Sequence, residues 1–206
     1  MEPSLLLSYI KRIQAIAQAG IAYAEIDYDL ERYEELRSIT LEMMHALTDE
    51  PIERLTKLFT NETGYQTPKV DIRAVIFKDD KILMVRENHD KCWSLPGGWA
   101  DVGFSPGEVA LKEVKEEAGI DVVPVRVLAI FDKKCHPHPP SPYHTYKMFI
   151  LCEYTGGSLQ KGMETSDVNY FSINEIPVLS EERITYSQIE TLFRLHSHKS
   201  VETLFD

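Results

Sequence analysis

The first part of the chain has apolar residues at helical spacing. In "SLLLSYIKRIQAIAQAGIAYA" they recur three and four residues apart, which predicts a helix with one apolar face: Leu6, Ile10, Ile13, Ile16 and Ala17. "LERYEELRSITLEMMHAL" and "DEPIERLTKLF" predict a second and a third helix. Three short helices make a thin core, so we expect them to pack on the rest of the chain or on a second copy.

The pattern changes to strand-like alternation after residues 60 to 69, where "TNETGYQTPK" is rich in turn-forming residues and predicts a linker. "VDIRAVIF" and "KILMVRE" predict a hairpin, and further strands are predicted at 122–131, 143–154 and 167–173. Helices are predicted at about 106–118 and 185–197. We therefore predict a helical domain at residues 1–62 and an α/β (α+β) domain at residues 63–206.

The composition is that of a folded globular protein, since 43% of the 206 residues are hydrophobic and 27% are charged. The net charge of −11 disfavours a long contact with nucleic acid, although a bound cation would let an acidic site accept a single nucleotide. We see no segment with the apolar length of a membrane span and no signal peptide. Three scattered cysteines favour a reduced, cytoplasmic protein.

The helix predicted at 106–118 carries its own start and stop signals. Ser105 lies at the N-cap position, Pro106 at the first helical position and Glu108 three residues after the cap, which is a capping box. Gly119 is placed to end the helix. One side of this helix is an apolar strip suited to packing on a sheet: Leu111, Val114 and Ala118.

A second side of the same helix is an acidic strip of Glu113, Glu116 and Glu117. Like charges at these spacings repel by about 0.2–0.5 kcal/mol per pair, and the helix dipole disfavours anions near its C-terminal end. A hard divalent cation, Mg²⁺ or Mn²⁺, would turn this repulsion into coordination. The alternative is a solvated acidic face, but Gly97 and Gly98 ahead of the helix allow backbone groups to approach a ligand.

The stretch from Gly98 to Ile120 resembles the Nudix box, the signature of hydrolases that cleave a nucleoside diphosphate linked to another group. Seven residues match that pattern in register: Gly98, Glu113, Val114, Glu116, Glu117, Gly119 and Ile120. "WSLPGG" before the box, and Glu164 before "NYFSINEIPVL", are also similar to the family. Two positions depart from it, because Phe104 replaces a Glu and Lys112 replaces an Arg that together help to hold the loop and the acidic helix.

The resemblance implies a fold and a reaction. The fold is an α/β/α sandwich with a mixed sheet, and the reaction is metal-assisted attack of water on a phosphorus of the diphosphate. Glu113 and Glu117 correspond to the principal metal ligands, Glu116 to a ligand or water-orienting group, and the carbonyl of Gly97 to a further ligand. A general base is also needed, and Glu116, Glu164 and a loop residue compete for that role.

The N-terminal helices are similar to those of a bacterial Nudix subfamily that acts on nucleoside diphosphate conjugates. This subfamily includes ADP-ribose pyrophosphatases and CDP-choline pyrophosphatase, and the layout leans towards the second. The helical domain would then form homodimer contacts and reach the nucleotide base, or it would serve only as a cover. Two other functions stay open: processing of RNA ends with the same cations, and a catalytically silent Nudix-fold binding module.

Substrate contacts are predicted outside the box. Arg73 and Arg86 lie on predicted strands, where each could meet a phosphate or face solvent. The Pro-rich segment "KKCHPHPPSPYH" at 133–144 is predicted to be an extended loop. His136, His138 or Tyr143 of this loop would touch the leaving group or base, unless it is an ordinary surface loop; its Cys and His spacing fits no familiar zinc site.

Overall fold

Helices come first along the chain and strands follow, in a computed structural model that describes residues 3–48, 51–60, 64–198 and 202–206. Contacts divide the chain into two units: Met1–Pro68 with Pro140–Tyr143, and Lys69–Pro139 with His144–Asp206. The predicted boundary between residues 62 and 63 lies outside the described residues and stays a prediction.

Among the residues described, the first unit contains three helices: α1 (Pro3–Tyr23), α2 (Asp27–Thr48) and α3 (Ile52–Thr60). Their shared core is small and apolar: Leu7, Ile10, Leu41, Met44 and Leu55. The apolar face predicted for α1 was partly wrong, because Ile10 and Ala17 are buried whereas Ile13 and Ile16 are exposed. Helix α1 is apolar on two sides, and residue spacing does not tell which side packs against α2 and α3.

The second unit contains the strands: β1 (Lys69–Val75), β2 (Phe77–Lys78), β3 (Lys81–Glu87), β4 (Trp93–Ser94), β5 (Gly97–Trp99), β6 (Ile120–Asp132), β7 (Thr145–Gly157), β8 (Thr165–Phe171) and β9 (Leu204–Phe205). One sheet has the order β5-β1-β7-β6-β9 and is mixed, since β1 pairs with β7 and β6 with β9 in parallel. In the other sheet β3 pairs antiparallel with β2, β4 and β8.

Helices cover the strands from two sides. Helix α4 (Pro106–Ala118) packs on a cluster that includes Ile72 and Val85, and helix α5 (Tyr186–Ser197) packs on one that includes Val75 and Met84. Strands β1 and β3 are therefore buried on both faces, as their near-continuous apolar sequences require. The predicted mixed α/β fold, preceded by helices, is confirmed.

The longer strands and both helices of this unit lie close to their predicted positions. The short strands were not predicted. Strands β4, β5 and β9 have two or three residues each, too few to show alternation. The described part of this unit also contains 3₁₀ turns at Lys133–Cys135 and Ile173–Glu175. None of the described helices is long and apolar enough to cross a membrane. Cys92, Cys135 and Cys152 are free thiols, and the cytoplasmic location stays a prediction.

Candidate active site around the acidic helix

Helix α4 begins and ends at the residues that the sequence predicts. The Ser105 side chain accepts a hydrogen bond from the backbone N–H of Glu108, and the Glu108 carboxylate accepts one from the backbone N–H of Ser105 at 2.8 Å. Gly119 ends the helix in the left-handed region, with φ of 77°. These caps fix the helix in register, and so they fix the direction in which its acidic side chains point.

The three acids of the strip differ in environment. Glu117 is only 6% exposed and lies on the buried side of α4, Glu113 is half-buried and Glu116 is exposed. Burial raises the pKa of Glu117 to about 8, against the lowering effect of the Arg73 charge, and burial also raises the pKa of Glu113. A bound cation would favour the charged forms of both carboxyls.

Gly97 holds Glu117 through its backbone. Its N–H donates a hydrogen bond of 2.9 Å to Oε2 of Glu117. The φ of Gly97 is +147°, and a methyl group built there would lie 2.0 Å from the carbonyl oxygen of Ile72. Gly98 faces the other acid, because a methyl group at Gly98 would lie 3.2 Å from Oε1 of Glu113. The two glycines therefore bring the β5 backbone close to both carboxylates. The predicted metal contact of the Gly97 carbonyl stays a prediction.

The loop before β8 packs on the last turn of α4 and brings Glu164 near the cluster. A methyl group at Gly162 would lie 1.9 Å from the carbonyl oxygen of Glu116, and the Thr165 hydroxyl donates to the carbonyl of Glu117 at 2.9 Å. The charge of Glu164 raises the pKa of Glu113, so the two carboxyls interact across the loop. The exposed Glu164 thus stands where a general base would be useful, and that role stays a prediction.

Arg73 is buried beneath the cluster instead of lying open to solvent. Its Nε donates to Asp71 at 3.0 Å, its Nη1 donates to the carbonyl of Leu95 at 3.0 Å, and Lys147 donates to the same Asp71. Burial lowers the pKa of Lys147 to about 8, against the raising effect of Asp71. Because its guanidinium supports the segment just before Gly97, Arg73 contributes to the position of β5, and a phosphate contact stays a prediction.

The other predicted substrate residues make contacts of their own. Arg86 donates from Nε to the carbonyl of Lys91 at 2.8 Å, and Nε2 of His136 lies 3.1 Å from a carboxylate oxygen of Asp206. Tyr143 belongs to the short segment grouped with the helical unit. None of these contacts involves the acidic cluster, so their substrate roles stay predictions.

His138 also lies in the predicted loop. Its Nδ1 is 2.6 Å from the carbonyl of Glu181, and burial lowers the pKa of His138 to about 4, so the ring is neutral near pH 7 and donates that hydrogen bond.

Besides Asp71 and Lys147, Glu87 and Arg183 are residues of the site that were not identified from the sequence. Glu87 ends β3 as a buried carboxylate, and Nε of Arg183 lies 3.2 Å from its Oε1. The charge of Glu87 raises the pKa of Glu117, so it belongs to the same electrostatic cluster. Strand spacing is the signal that could have found Glu87, because it places Glu87 on the same side of β3 as Leu83 and Val85, the side that packs towards α4.

The donor chemistry suits a hard divalent cation. Glu113 and Glu117 offer carboxylate oxygens, which Mg²⁺ and Mn²⁺ prefer, and burial raises the pKa of Glu117, which a cation beside it would lower. Within the described ranges, no three or more His, Cys, Asp or Glu side chains form a complete metal site, and this includes the Cys and His of loop 133–144. Glu113 and Glu117 would therefore hold the cation together with other oxygen donors.

We expect the metal-free protein to become less stable as the pH rises from about 4.5 to about 8. Across this window the folded protein keeps the Glu117 proton while the unfolded chain has lost it, so the free energy of unfolding falls by at most about 1.4 kcal/mol per pH unit. Urea unfolding of the wild type and of Glu117→Gln, without divalent cations, isolates this contribution. A stability difference between them that does not change with pH would show that Glu117 ionises normally.

Comparison with known proteins identifies the family. Residues 67–193 match the family described as "NUDIX domain", and residues 5–59 match one described as "UDP-X-like, N-terminal oligomerisation domain". The chain is 47% identical over 200 residues to a Bacillus subtilis (strain 168) protein named "Putative ADP-ribose pyrophosphatase YjhB", covering 97% of this chain and 96% of that protein.

Solved structures agree with this match. An ADP-ribose pyrophosphatase from Streptococcus suis 89-1591 is 45% identical, with a TM-score of 0.62, over 68% of this chain and 100% of that one. A UDP-X diphosphatase is 35% identical, with a TM-score of 0.64, over 99% of this chain and 100% of that one. The chain is therefore an enzyme of the Nudix hydrolase family, and its helical part is a UDP-X-like N-terminal domain.

Proposed function

We propose that this enzyme hydrolyses the diphosphate bridge of a nucleoside diphosphate linked to another group, giving a nucleoside monophosphate and a phosphorylated second product. Nudix hydrolases generally use divalent metal ions, and we propose Mg²⁺ or Mn²⁺ here. The observation that carries the proposal is the pair of unequal carboxylates on α4, half-buried Glu113 and buried Glu117, held against the glycines of β5.

Each residue of the cluster has a distinct task in this proposal. Glu113 and Glu117 hold the cation, which when bound neutralises phosphate charge and lowers the pKa of the attacking water. The N–H of Gly97 keeps Glu117 oriented, and the buried Arg73 limits repulsion among the acids. The exposed Glu116 or Glu164 takes the proton from water, because each side chain is open to solvent and interacts with the half-buried Glu113.

The names of the relatives limit which nucleoside and which linked group should be tested first. The two proteins at 45% and 47% identity carry names with ADP-ribose, and the full-length structural relative is a UDP-X diphosphatase. These names support ADP-ribose and UDP-linked compounds as the first substrates to test. They do not include CDP-choline, towards which the sequence layout leans, so CDP-choline belongs in the same panel.

A substrate panel tests the proposal. The protein is incubated with Mg²⁺ or Mn²⁺ and, separately, with ADP-ribose, a UDP-sugar, CDP-choline and a short RNA carrying a 5′ diphosphate-linked cap. We expect a nucleoside monophosphate from at least one small conjugate. Faster cleavage of the RNA than of every small conjugate would favour RNA-end processing, and no turnover of any compound would favour a silent binding module.

We further propose that the helical unit forms a homodimer, consistent with the description of its family as an oligomerisation domain. Helix α1 has a second apolar face that its own unit leaves exposed: Leu5, Tyr9, Ile13 and Ile16. Residues spaced in this way lie on one side of a helix, and a contiguous exposed apolar stripe of this kind is typical of a protein–protein interface. The stripe therefore offers the dimer a contact surface.

Replacing Ile16 by Glu is expected to shift the protein from dimer to monomer. The side chain is 63% exposed in the single chain, so the change spares the internal core, but it places a charge in the apolar stripe. Sedimentation equilibrium of the variant and wild type measures the shift. Val178→Glu is the matched control, because Val178 is exposed on the other unit. A dimer that survives Ile16→Glu, or a monomeric wild type, would contradict the proposed interface.

A further inference from the structure

A tight turn lies between β5 and the acidic helix. The N–H of Phe104 donates to the carbonyl of Asp101 at 3.2 Å, and Gly103, the third residue of the turn, has φ of +96°. This is the pattern of a type II turn, whose first and fourth residues lie within about 7 Å of each other. Asp101 and Phe104 are therefore neighbours in space, although three positions separate them in sequence.

Asp101 supplies a carboxylate close to position 104, where this chain has Phe104 in place of the family Glu. Its Oδ2 lies 3.0 Å from Nζ of Lys112, in the middle of α4, and the same Nζ lies 3.8 Å from Oε1 of Glu113 and 6.0 Å from the centre of the Phe104 ring. The hydrogen bond and charge of Asp101 raise the pKa of Lys112. One lysine thus links the turn to the helix and stands beside a candidate metal ligand.

The Asp101–Lys112 ion pair lies close to both candidate metal ligands, Glu113 and Glu117. The loop that holds Asp101 follows β5, whose Gly97 and Gly98 approach Glu117 and Glu113, and it ends at the Ser105 cap of α4. If Asp101 is lost, the nearest remaining acid for Lys112 is Glu113. The ion pair between Lys112 and Glu113, which is 3.8 Å long while Asp101 is present, would then tighten and compete with a cation for that carboxylate.

We propose that Asp101 is a positioning residue for the metal site. It holds Lys112 in place, and through Lys112 it fixes the turn and the side chain of Glu113. In the family pattern an acid at position 104 has this role. This inference rests on the proposed cation site at Glu113 and Glu117. The turn brings positions 101 and 104 to within about 7 Å of each other, and the side chains of both lie near Lys112.

The test moves the acid from one turn position to the other. Binding of Mn²⁺ alone is titrated by electron paramagnetic resonance for the wild type, Asp101→Asn, Asp101→Asn with Phe104→Glu, and Asp101→Asn with Phe104→Gln. We expect Asp101→Asn to raise the Kd for Mn²⁺ about threefold to fivefold, the size that a partly exposed ion pair supports. Glu at position 104 restores the Kd to within about twofold of wild type, and Gln does not.

A second measurement separates positioning from general stability. Urea unfolding of metal-free wild type, Asp101→Asn, Lys112→Gln and the double variant gives the coupling between the two residues, and we expect the double variant to lose no more stability than one single variant. Fully additive losses, or failure of Phe104→Glu to restore Mn²⁺ binding, would overturn the inference. Because neither measurement uses a substrate, a wild type that binds Mn²⁺ but hydrolyses no conjugate would defeat only the proposed function.

Discussion

Replacing Glu117 by Gln is expected to lower kcat at least about 100-fold in a protein that still folds. Gln has nearly the same shape, and its amide oxygen can accept the hydrogen bond from Gly97 N–H, so the local packing is kept. The amide carries no charge and is a poor ligand for Mg²⁺ or Mn²⁺, so the cation loses its most buried partner. The measurement is steady-state hydrolysis of the best conjugate over a range of Mg²⁺ concentrations.

Glu190→Gln provides the matched control for this change. Glu190 is an exposed residue of α5, and the same loss of one charge there should leave kcat unchanged. Urea unfolding of both variants would confirm that they remain folded. If kcat of Glu117→Gln stayed within about threefold of wild type, Glu117 would not be a principal ligand, and the proposed cation site would be wrong.

Replacing Gly97 by Ala is expected to have the largest effect on folding, at least about 3 kcal/mol in the free energy of unfolding, and to abolish turnover. A methyl group would lie 2.0 Å from the Ile72 carbonyl oxygen and 2.9 Å from Cα of Arg73, both backbone atoms of β1 that cannot move aside. Strand β5 would have to leave β1, and Glu117 would lose the N–H that orients it. Urea unfolding and the substrate assay measure the two consequences.

Gly103→Ala separates backbone strain from steric conflict. Gly103 also has a positive φ, +96°, but a methyl group there would meet nothing within 4 Å. We therefore expect a loss of only about 1 kcal/mol, the cost of placing Ala in the left-handed region. Equal losses for the two variants would show that the approach of β5 to β1 does not decide the stability of the site.

Local chemistry explains what the sequence could predict. The capping box and Gly119 of α4 act through residues that are close in sequence, so the helix begins and ends where expected. The acidic strip follows from helical spacing alone. The difference in burial among its three acids could not be predicted from that spacing. Glu117 is buried against β5, and β5 is too short to show alternation in the sequence.

Long-range pairing explains what the sequence could not predict. Asp71 and Lys147 are brought together because β1 and β7 are parallel neighbours. The sequence of neither strand indicates which strand it pairs with. The same holds for Glu87, whose partner Arg183 lies beyond β8. Arg73 seemed available for phosphate because a strand position gives no sign of the ion pair that occupies its guanidinium. Such pairings depend on topology, which local patterns do not specify.

The most direct test of the central claim follows the diphosphate bond itself. Metal-free wild type and Glu117→Gln are incubated, before and after addition of Mg²⁺, with the conjugate that the substrate panel shows to be cleaved fastest, and the nucleoside monophosphate and the phosphorylated second product are quantified by chromatography. We expect both products from the wild type only after Mg²⁺ is added, and at least about 100-fold more slowly from the variant. Product formation that needs no cation, or that proceeds equally fast in the variant, would contradict metal-dependent hydrolysis at the acidic helix.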